Sequence, residues 1–248
     1  LNASEYALMI NEGAINAGIA PKFSDPYSYG QGTNWQDEVF NNNAPMMNHQ
    51  VSVSGASEKV NYLFSLGFYT QDGIVGGNFD RSNYERLTLR SNTQYTLFDE
   101  SKERNWLNSL KVTSNLSYAR IKSTNFDDNS TWGTPLGSAL ALSPILNVYD
   151  ETEEAIKAQF DKYGTTAEYT PVYDPRNGKL FSIPGEFGEM SNPIAKLSLP
   201  GDKHWSHKFV ANFSAELQLW DNLKFKTSYG ADLSFWGYDS YRPLYYLR

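Results

Sequence analysis

The sequence predicts an all-β fold, an antiparallel segment of a transmembrane β-barrel wall. Three observations predict it: strict two-residue alternation, long strands, and connections that differ sharply in length. The alternation is clearest near the C-terminal end. Phe209, Ala211, Phe213, Ala215, Leu217 and Leu219 fall on one side of the chain and Val210, Asn212, Ser214, Glu216 and Gln218 on the other. After Trp220-Asp221-Asn222 the pattern resumes. Leu223, Phe225, Thr227, Tyr229, Ala231, Leu233 and Phe235 oppose Lys224, Lys226, Ser228, Gly230, Asp232 and Ser234. A period of two puts these sets on opposite faces of a β-ribbon. Each run is roughly twice the common globular strand of about 5–6 residues. Long hairpins with one apolar and one polar face suit a barrel in lipid. A soluble sandwich also alternates, so the connections have to decide.

The remaining elements follow in order. Residues 1–18 read as a helix: Asn2 and Glu5 form a capping pair, and Gly18 lies where the helix ends. Residues 19–48 read as irregular, broken by Pro21, Pro26, Gly30, Gly32 and Pro45. Strands begin at His49, with Val51 and Val53 facing away from Gln50, Ser52 and Ser54. A turn at 55–58 leads to Val60, Tyr62, Phe64, Leu66 and Phe68 on one face. A Gly-rich connection at 71–78 follows. The next strand sets Leu87, Leu89, Ser91, Thr93, Tyr95 and Leu97 against Arg86, Thr88, Arg90, Asn92, Gln94 and Thr96. A charged turn at 99–104 leads to Leu110, Val112, Ser114, Leu116 and Tyr118, opposed by Lys111, Thr113, Asn115 and Ser117.

Residues 123–205 form one long excursion with a candidate helix at 150–163 and a turn at 174–178. Outer-membrane barrels alternate short periplasmic turns with long extracellular loops. The order here is short, medium-long, medium, very long and short, and the medium turn at 98–107 fits least well. On this reading residues 1–48 are an extracellular segment with an N-terminal helix, and 49–122 are four barrel strands. Residues 123–205 are a long extracellular loop, and 206–248 are a hairpin and the start of the next loop.

Composition narrows the function classes. The chain has 248 residues, 40% hydrophobic and 15% aromatic, with 17 Tyr, 14 Phe and 6 Trp. Mean hydropathy is −0.54, and no run approaches the roughly 18–20 apolar residues of a spanning helix. A net charge of −7 argues against nucleic acid as a partner. Zero cysteines exclude disulfides, thiolate metal sites and cysteine nucleophiles. No leader precedes Leu1, so the expectation is a mature or internal piece of an exported protein. Lipid tolerates no open sheet edge, so six strands alone are expected to need further strands from beyond this segment.

Several motifs, in order, resemble the SusC/RagA group of TonB-dependent outer-membrane transporters. They are Gly32-Thr33-Asn34-Trp35-Gln36-Asp37-Glu38, then Asn48-His49 leading into Ser52-Val53-Ser54-Gly55. Next come Tyr69-Thr70-Gln71-Asp72-Gly73-Ile74-Val75, Arg81 with Tyr84 and Arg90, and Asn115-Leu116-Ser117-Tyr118. Pro135-Leu136-Gly137-Ser138-Ala139-Leu140 leading to Ser143-Pro144 completes the set. Each motif is weak alone, and the ordered set is strong. The resemblance implies an internal piece of a larger, plugged TonB-dependent barrel of about 22 strands. It implies residence in the outer membrane of a Gram-negative bacterium, contact with the lipid bilayer, and import of oligosaccharides or peptides. It further implies a SusD-like surface lipoprotein as partner, and TonB acting through a plug that these residues do not contain. Two other readings stay open: a structural subunit of a larger outer-membrane complex, and a secreted β-sandwich that binds glycans or acts as an adhesin.

The candidate residues follow from the two faces. Arg86, Arg90, Lys111, Asn115, Glu216, Lys224, Lys226 and Asp232 are expected to face the lumen, where they grip substrate, hold a plug, or form ordinary wet surface. Tyr62, Phe64, Phe68, Leu87, Leu89, Phe209, Phe213, Tyr229 and Phe235 are expected to face lipid. Trp132, Tyr149, Tyr169 and Tyr173 in the long loop are candidates for stacking on a sugar or a partner, or for packing within the loop. Nothing points to catalysis. Glu151, Glu153 and Glu154 start a candidate helix and read as dipole partners rather than a glycosidase pair. His204 and His207 are a weak i, i+3 metal pair, and Asp127-Asp128-Asn129 lacks an EF-hand register. The Asn-x-Ser triplets at Asn115 and Asn212 fall inside strands, a poor place for glycosylation. No nucleophile elbow, phosphate loop or dinucleotide fingerprint is present, and no cofactor or metal is expected.

Overall fold

A computed structural model of the chain describes residues 1–79, 83–99, 106–125, 133–150, 152–154, 171–184 and 190–240. One antiparallel sheet dominates. Its strands are β1 (Met46–Ala56), β2 (Val60–Asp72), β3 (Asn83–Phe98), β4 (Ser109–Asn125), β7 (Asp202–Trp220) and β8 (Leu223–Asp239). They lie in the order β1-β2-β3-β4-β7-β8, and every pairing is antiparallel. The fold class read from the alternation is therefore found, as an open wall rather than a closed cylinder. No helix among the described residues is long and apolar enough to cross a membrane.

The strands outrun the apolar alternation. β1 opens at Met46 rather than His49, β4 continues to Asn125, and β7 starts at Asp202. Ladder hydrogen bonds need only a neighbouring backbone, so pairing continues where side chains turn polar. Residues 19–48 also hold more than irregular chain: a 3-10 turn at Pro26–Tyr29 and the single-turn helix α2 (Trp35–Val39). Asn34 makes α2 possible by accepting a hydrogen bond from the Gln36 amide at 3.2 Å. Before it, α1 (Ala3–Asn16) starts on the Asn2–Glu5 capping box.

Among the described residues no second layer covers the sheet. Phe64, Phe213 and Leu233 are 50%, 45% and 53% exposed, whereas a sandwich would bury such residues between its sheets. The buried core lies instead in the connections. It joins Trp35 and Val39 of α2 to Ala139 of α3 (Pro135–Ala141) and to Ile194, Ala195 and Leu197 of α4 (Pro193–Ser198). Phe181 adds to it from a two-residue ladder pairing β5 (Tyr149–Asp150) with β6 (Leu180–Phe181). Thr134 caps α3 and Asn192 caps α4, each followed by a proline at the first helical position. The helix expected over 150–163 lies largely outside the described residues.

Candidate functional site

Register fixes which side chains share a face. Arg86, Arg90, Lys111, Asn115, Glu216, Lys224, Lys226 and Asp232 all project to one side. Tyr62, Phe64, Phe68, Leu87, Leu89, Phe209, Phe213, Tyr229 and Phe235 all project to the other. Rows of direct partners run across the sheet. On the apolar side Val51, Leu66, Leu89, Tyr118, Phe209 and Leu233 form one row. Val53, Phe64, Ser91, Leu116, Ala211 and Ala231 form the next, toward the short turns. No Asp, Glu, Lys or Arg interrupts this side from Leu110 to Tyr118 on β4 or from Phe225 to Phe235 on β8. Charge returns only toward the long connections, with Asp72, Glu85, Arg120, Lys122, Lys203 and Asp239.

The apolar side holds a trough of about 580 Å³ lined by Phe64, Leu66, Leu89, Leu116, Tyr118 and Phe209. It exists because Ser91 and Ala211 are short between longer neighbours. Solute sites combine an apolar pocket with a few converging polar groups. This trough lacks them, so it is not the candidate site.

The polar side is built from hydroxyls, amides and cations. Asn92, Asn115 and Asn212 occupy directly paired positions on β3, β4 and β7. Ser52 Oγ donates to Ser65 Oγ at 3.0 Å, and Gln50 Nε2 donates to the same oxygen at 3.2 Å. Lys208 pairs with Asp232 at 3.4 Å. Glu216 lies between Lys111 and Lys226 in one row. The Arg86 guanidinium sits 5.6 Å from the centre of the Tyr69 ring. His204 and His207 do not meet, since residues three apart on a strand point to opposite sides. His207 Nδ1 is hydrogen-bonded instead to the Tyr118 hydroxyl at 2.8 Å.

The connections at the other end of the strands interlock through the sequence motifs. Trp35 Nε1 donates to the Ser143 carbonyl at 3.0 Å, and the Thr33 amide donates to the Pro144 carbonyl at 2.8 Å. Gly32 makes that approach possible: with φ +66, a Cβ there would come within 2.2 Å of the Pro144 oxygen. The Gly32–Trp35 motif and the Ser143-Pro144 motif are thus two halves of one contact. Asn41 and Asn78 lock the β2–β3 connection, since Asn78 N donates to Asn41 Oδ1 at 2.7 Å and Asn42 N donates to Asn78 Oδ1 at 2.8 Å.

A polar clasp closes this layer. Asp174 is fully buried and accepts from Tyr149 at 2.7 Å and from Arg176 Nη2 at 2.7 Å. Arg176 Nη1 reaches the Gly77 carbonyl at 2.7 Å, and its guanidinium lies 3.6 Å from the centre of the Phe79 ring. Burial pushes the Asp174 carboxyl up, but the hydrogen bonds from Arg176 and Tyr149 outweigh it and hold it below the ordinary carboxylate value. Burial, then the bond to Asp174, raises the Tyr149 phenol. Tyr149 also stacks on Phe181 with ring centres 5.4 Å apart. Tyr173 is exposed and donates to Glu153. Trp132 and Tyr169 lie outside the described residues. Sequence reasoning missed the Asp174–Arg176 clasp, for which only the turn residues 174–178 gave a signal.

The SusC of Bacteroides thetaiotaomicron, a TonB-dependent receptor, is 28% identical over 193 residues, covering 75% of this chain and 16% of that protein. TonB-dependent receptor P26 of Formosa agariphila is 32% identical over 214 residues, covering 86% of this chain and 17% of the receptor. The chain is related to SusC-type TonB-dependent receptors. Receptor P3 of the same Formosa species is 27% identical over 210 residues, covering 84% of this chain and 17% of the receptor. The chain thus spans about a sixth of the length of these relatives. No family model matches it. Among solved structures, the RagAB peptide importer in its open-open state aligns with a TM-score of 0.49 at 20% identity, covering 83% of this chain and 19% of that one. A second, the RagAB peptide transporter, aligns with a TM-score of 0.48 at 18% identity, covering 93% of this chain and 23% of that one. The likeness read from the ordered motifs is borne out, and these relatives are receptors by name rather than enzymes.

Proposed function

We propose that the chain is part of the wall of an outer-membrane importer of the SusC type. The uncharged band on one side of the sheet carries this reading. Between Phe225 and Phe235 β8 rises about 34 Å, and a strand tilt of about 40° makes that about 26 Å of height. The apolar band of outer-membrane barrels is about 25 Å tall. In this reading Tyr62, Phe64, Phe68, Leu87, Leu89, Phe209, Phe213, Tyr229 and Phe235 meet hydrocarbon. Arg86, Arg90, Lys111, Asn115, Glu216, Lys224, Lys226 and Asp232 line a wet lumen. Residues 1–48 and 123–205 are extracellular, 49–122 and the hairpin from 206 belong to the wall, and the chain runs on into the next loop by 248. Further strands complete the cylinder, because unpaired backbone in lipid costs several kcal/mol per group. The packed layer at the long-connection end offers a platform for a SusD-like surface lipoprotein. TonB drives import of oligosaccharides or peptides through a plug supplied by the rest of the protein.

The test is fractionation of cells making the full-length protein. It is expected in the outer membrane, extractable only with detergent and co-purifying with a surface lipoprotein. Recovery as a detergent-free, monodisperse monomer would overturn the reading.

A further inference from the structure

We propose that Arg86 and Arg90 on the wet side of β3 form a binding lane for an acidic, carboxylate- or sulfate-bearing oligosaccharide. The inference rests on the importer reading and names the substrate class for it. It begins with an imbalance of charge. The whole chain carries 21 Lys or Arg against 28 Asp or Glu. On the wet side of the sheet the balance reverses, with Arg86, Arg90, Lys111, Lys208, Lys224 and Lys226 against Asp202, Glu216 and Asp232.

Among the described residues no ion pair joins Glu216 or Asp232 to the two arginines. Asp232 is taken by Lys208, and Glu216 stands between Lys111 and Lys226. Arg90 is flanked in register by Ser65 and Ser117, and Arg86 by Tyr69 and Ile121. Among the described residues neither makes an ion pair, and both are exposed. A guanidinium is a planar fork that matches carboxylate and sulfate-like oxyanions in two parallel hydrogen bonds. Such a group, with no carboxylate partner among the described residues, can receive an anion.

Geometry sets the ligand's length. Four residues along one strand separate the arginines by about 13 Å. With both side chains extended over the sheet, an oligomer with repeated anions spans that backbone separation.

The surroundings set its chemistry. On the same side around Arg90 lie Ser52, Ser65, Ser117, Asn92, Asn115 and Asn212, with hydroxyl or amide side chains, and Thr88 stands between the two arginines. Hydroxyl-rich rings suit such a surface. A peptide's apolar side chains would find Leu63 and Val210 near Arg90, and Tyr69, Tyr84 and Ile121 near Arg86, so hexaglutamate is the competing probe.

The test uses the full-length protein in detergent, with calorimetric binding of hexagalacturonate, neutral maltohexaose and hexaglutamate. Hexagalacturonate is expected to bind tightest, more weakly as salt rises. The double substitution Arg86→Gln/Arg90→Gln should weaken it about ten- to hundred-fold, from the loss of charge-assisted bonds. Arg86→Lys/Arg90→Lys should keep the salt dependence and recover only part of the affinity. Equal affinity for maltohexaose, an unchanged Gln variant, or tighter binding of hexaglutamate would each overturn the proposal. Uptake of the same solutes by TonB-energised cells making the full-length protein separates the two readings. Entry of neutral and acidic solutes without preference removes the acidic lane and leaves the importer, whereas absence of the protein from the outer membrane removes both.

Discussion

Asp174 shows how one buried carboxylate can organise a layer of loops. Its carboxyl takes hydrogen bonds from Tyr149 and from Arg176, whose other end grips the Gly77 carbonyl and the Phe79 ring. Because the folded-state pKa lies below the ordinary value, the ionised form is favoured by folding. That contribution is complete above about pH 4, where the unfolded carboxylate is already ionised. It is lost as pH falls through the lowered folded value. Asp174→Asn keeps the shape but presents an amide to the donors of Arg176. With the Arg176 side chain 38% exposed, hydration offsets part of the loss, and a cost of about 1–2 kcal/mol is expected. Denaturant unfolding of wild type and variant across the acid range should show the gap closing as pH falls; a constant gap would sink the account. In the sequence, 174–178 read only as a turn. The clasp was not legible because Tyr149, Gly77 and Phe79 are brought to it by folding and not by spacing.

The strands and the small helices differ in how plainly the sequence announces them. Alternation from Tyr62 to Phe68 or from Phe209 to Leu217 is imposed by two chemically different surroundings, so it is visible without a structure. Strand ends are not, since the ladder continues through Lys203 and Thr124 on backbone pairing alone. The helix α2 is harder still. Five residues are too few for periodicity to register, and its stability comes from tertiary burial rather than propensity. Trp35 supplies that burial, being 4% exposed and bonded to the Ser143 carbonyl. Trp35→Ala is expected to cost about 3–5 kcal/mol, confined to the loop layer. Hydrogen exchange should speed at Ala139, Leu142 and Ile194 while Asn115 and Phe213 in the sheet keep their protection. Equal loss in both regions would mean that sheet and loop layer open as one unit. Trp35→Phe should retain most of the packing and forfeit about 1 kcal/mol for the indole bond.

Across the whole molecule, the two sides of the sheet make opposite demands on substitution. Phe213 and Asn212 are neighbours on β7, and each opposes a β8 residue in register, Tyr229 and Gly230. Backbone, depth and strand are the same for both; only the direction of the side chain differs. If the apolar side meets hydrocarbon, an arginine at 213 sits near the middle of the band and costs about 2–4 kcal/mol. An arginine at 212 enters the wet lumen, joins Arg90 and Lys208 on that side, and costs little. A sheet with water on both sides would tolerate the two about equally, since Phe213 is already 45% exposed in this segment. Refolding Phe213→Arg and Asn212→Arg variants of the full-length protein into phosphatidylcholine vesicles and titrating with guanidinium gives the comparison directly. A penalty at 213 at least several-fold larger than that at 212 is expected, and one shrinking for Arg placed at Phe225, near the end of the band, where the side chain reaches the interface. Equal penalties at 212 and 213 would leave the open edges of β1 and β8 as the stronger constraint on where this wall resides.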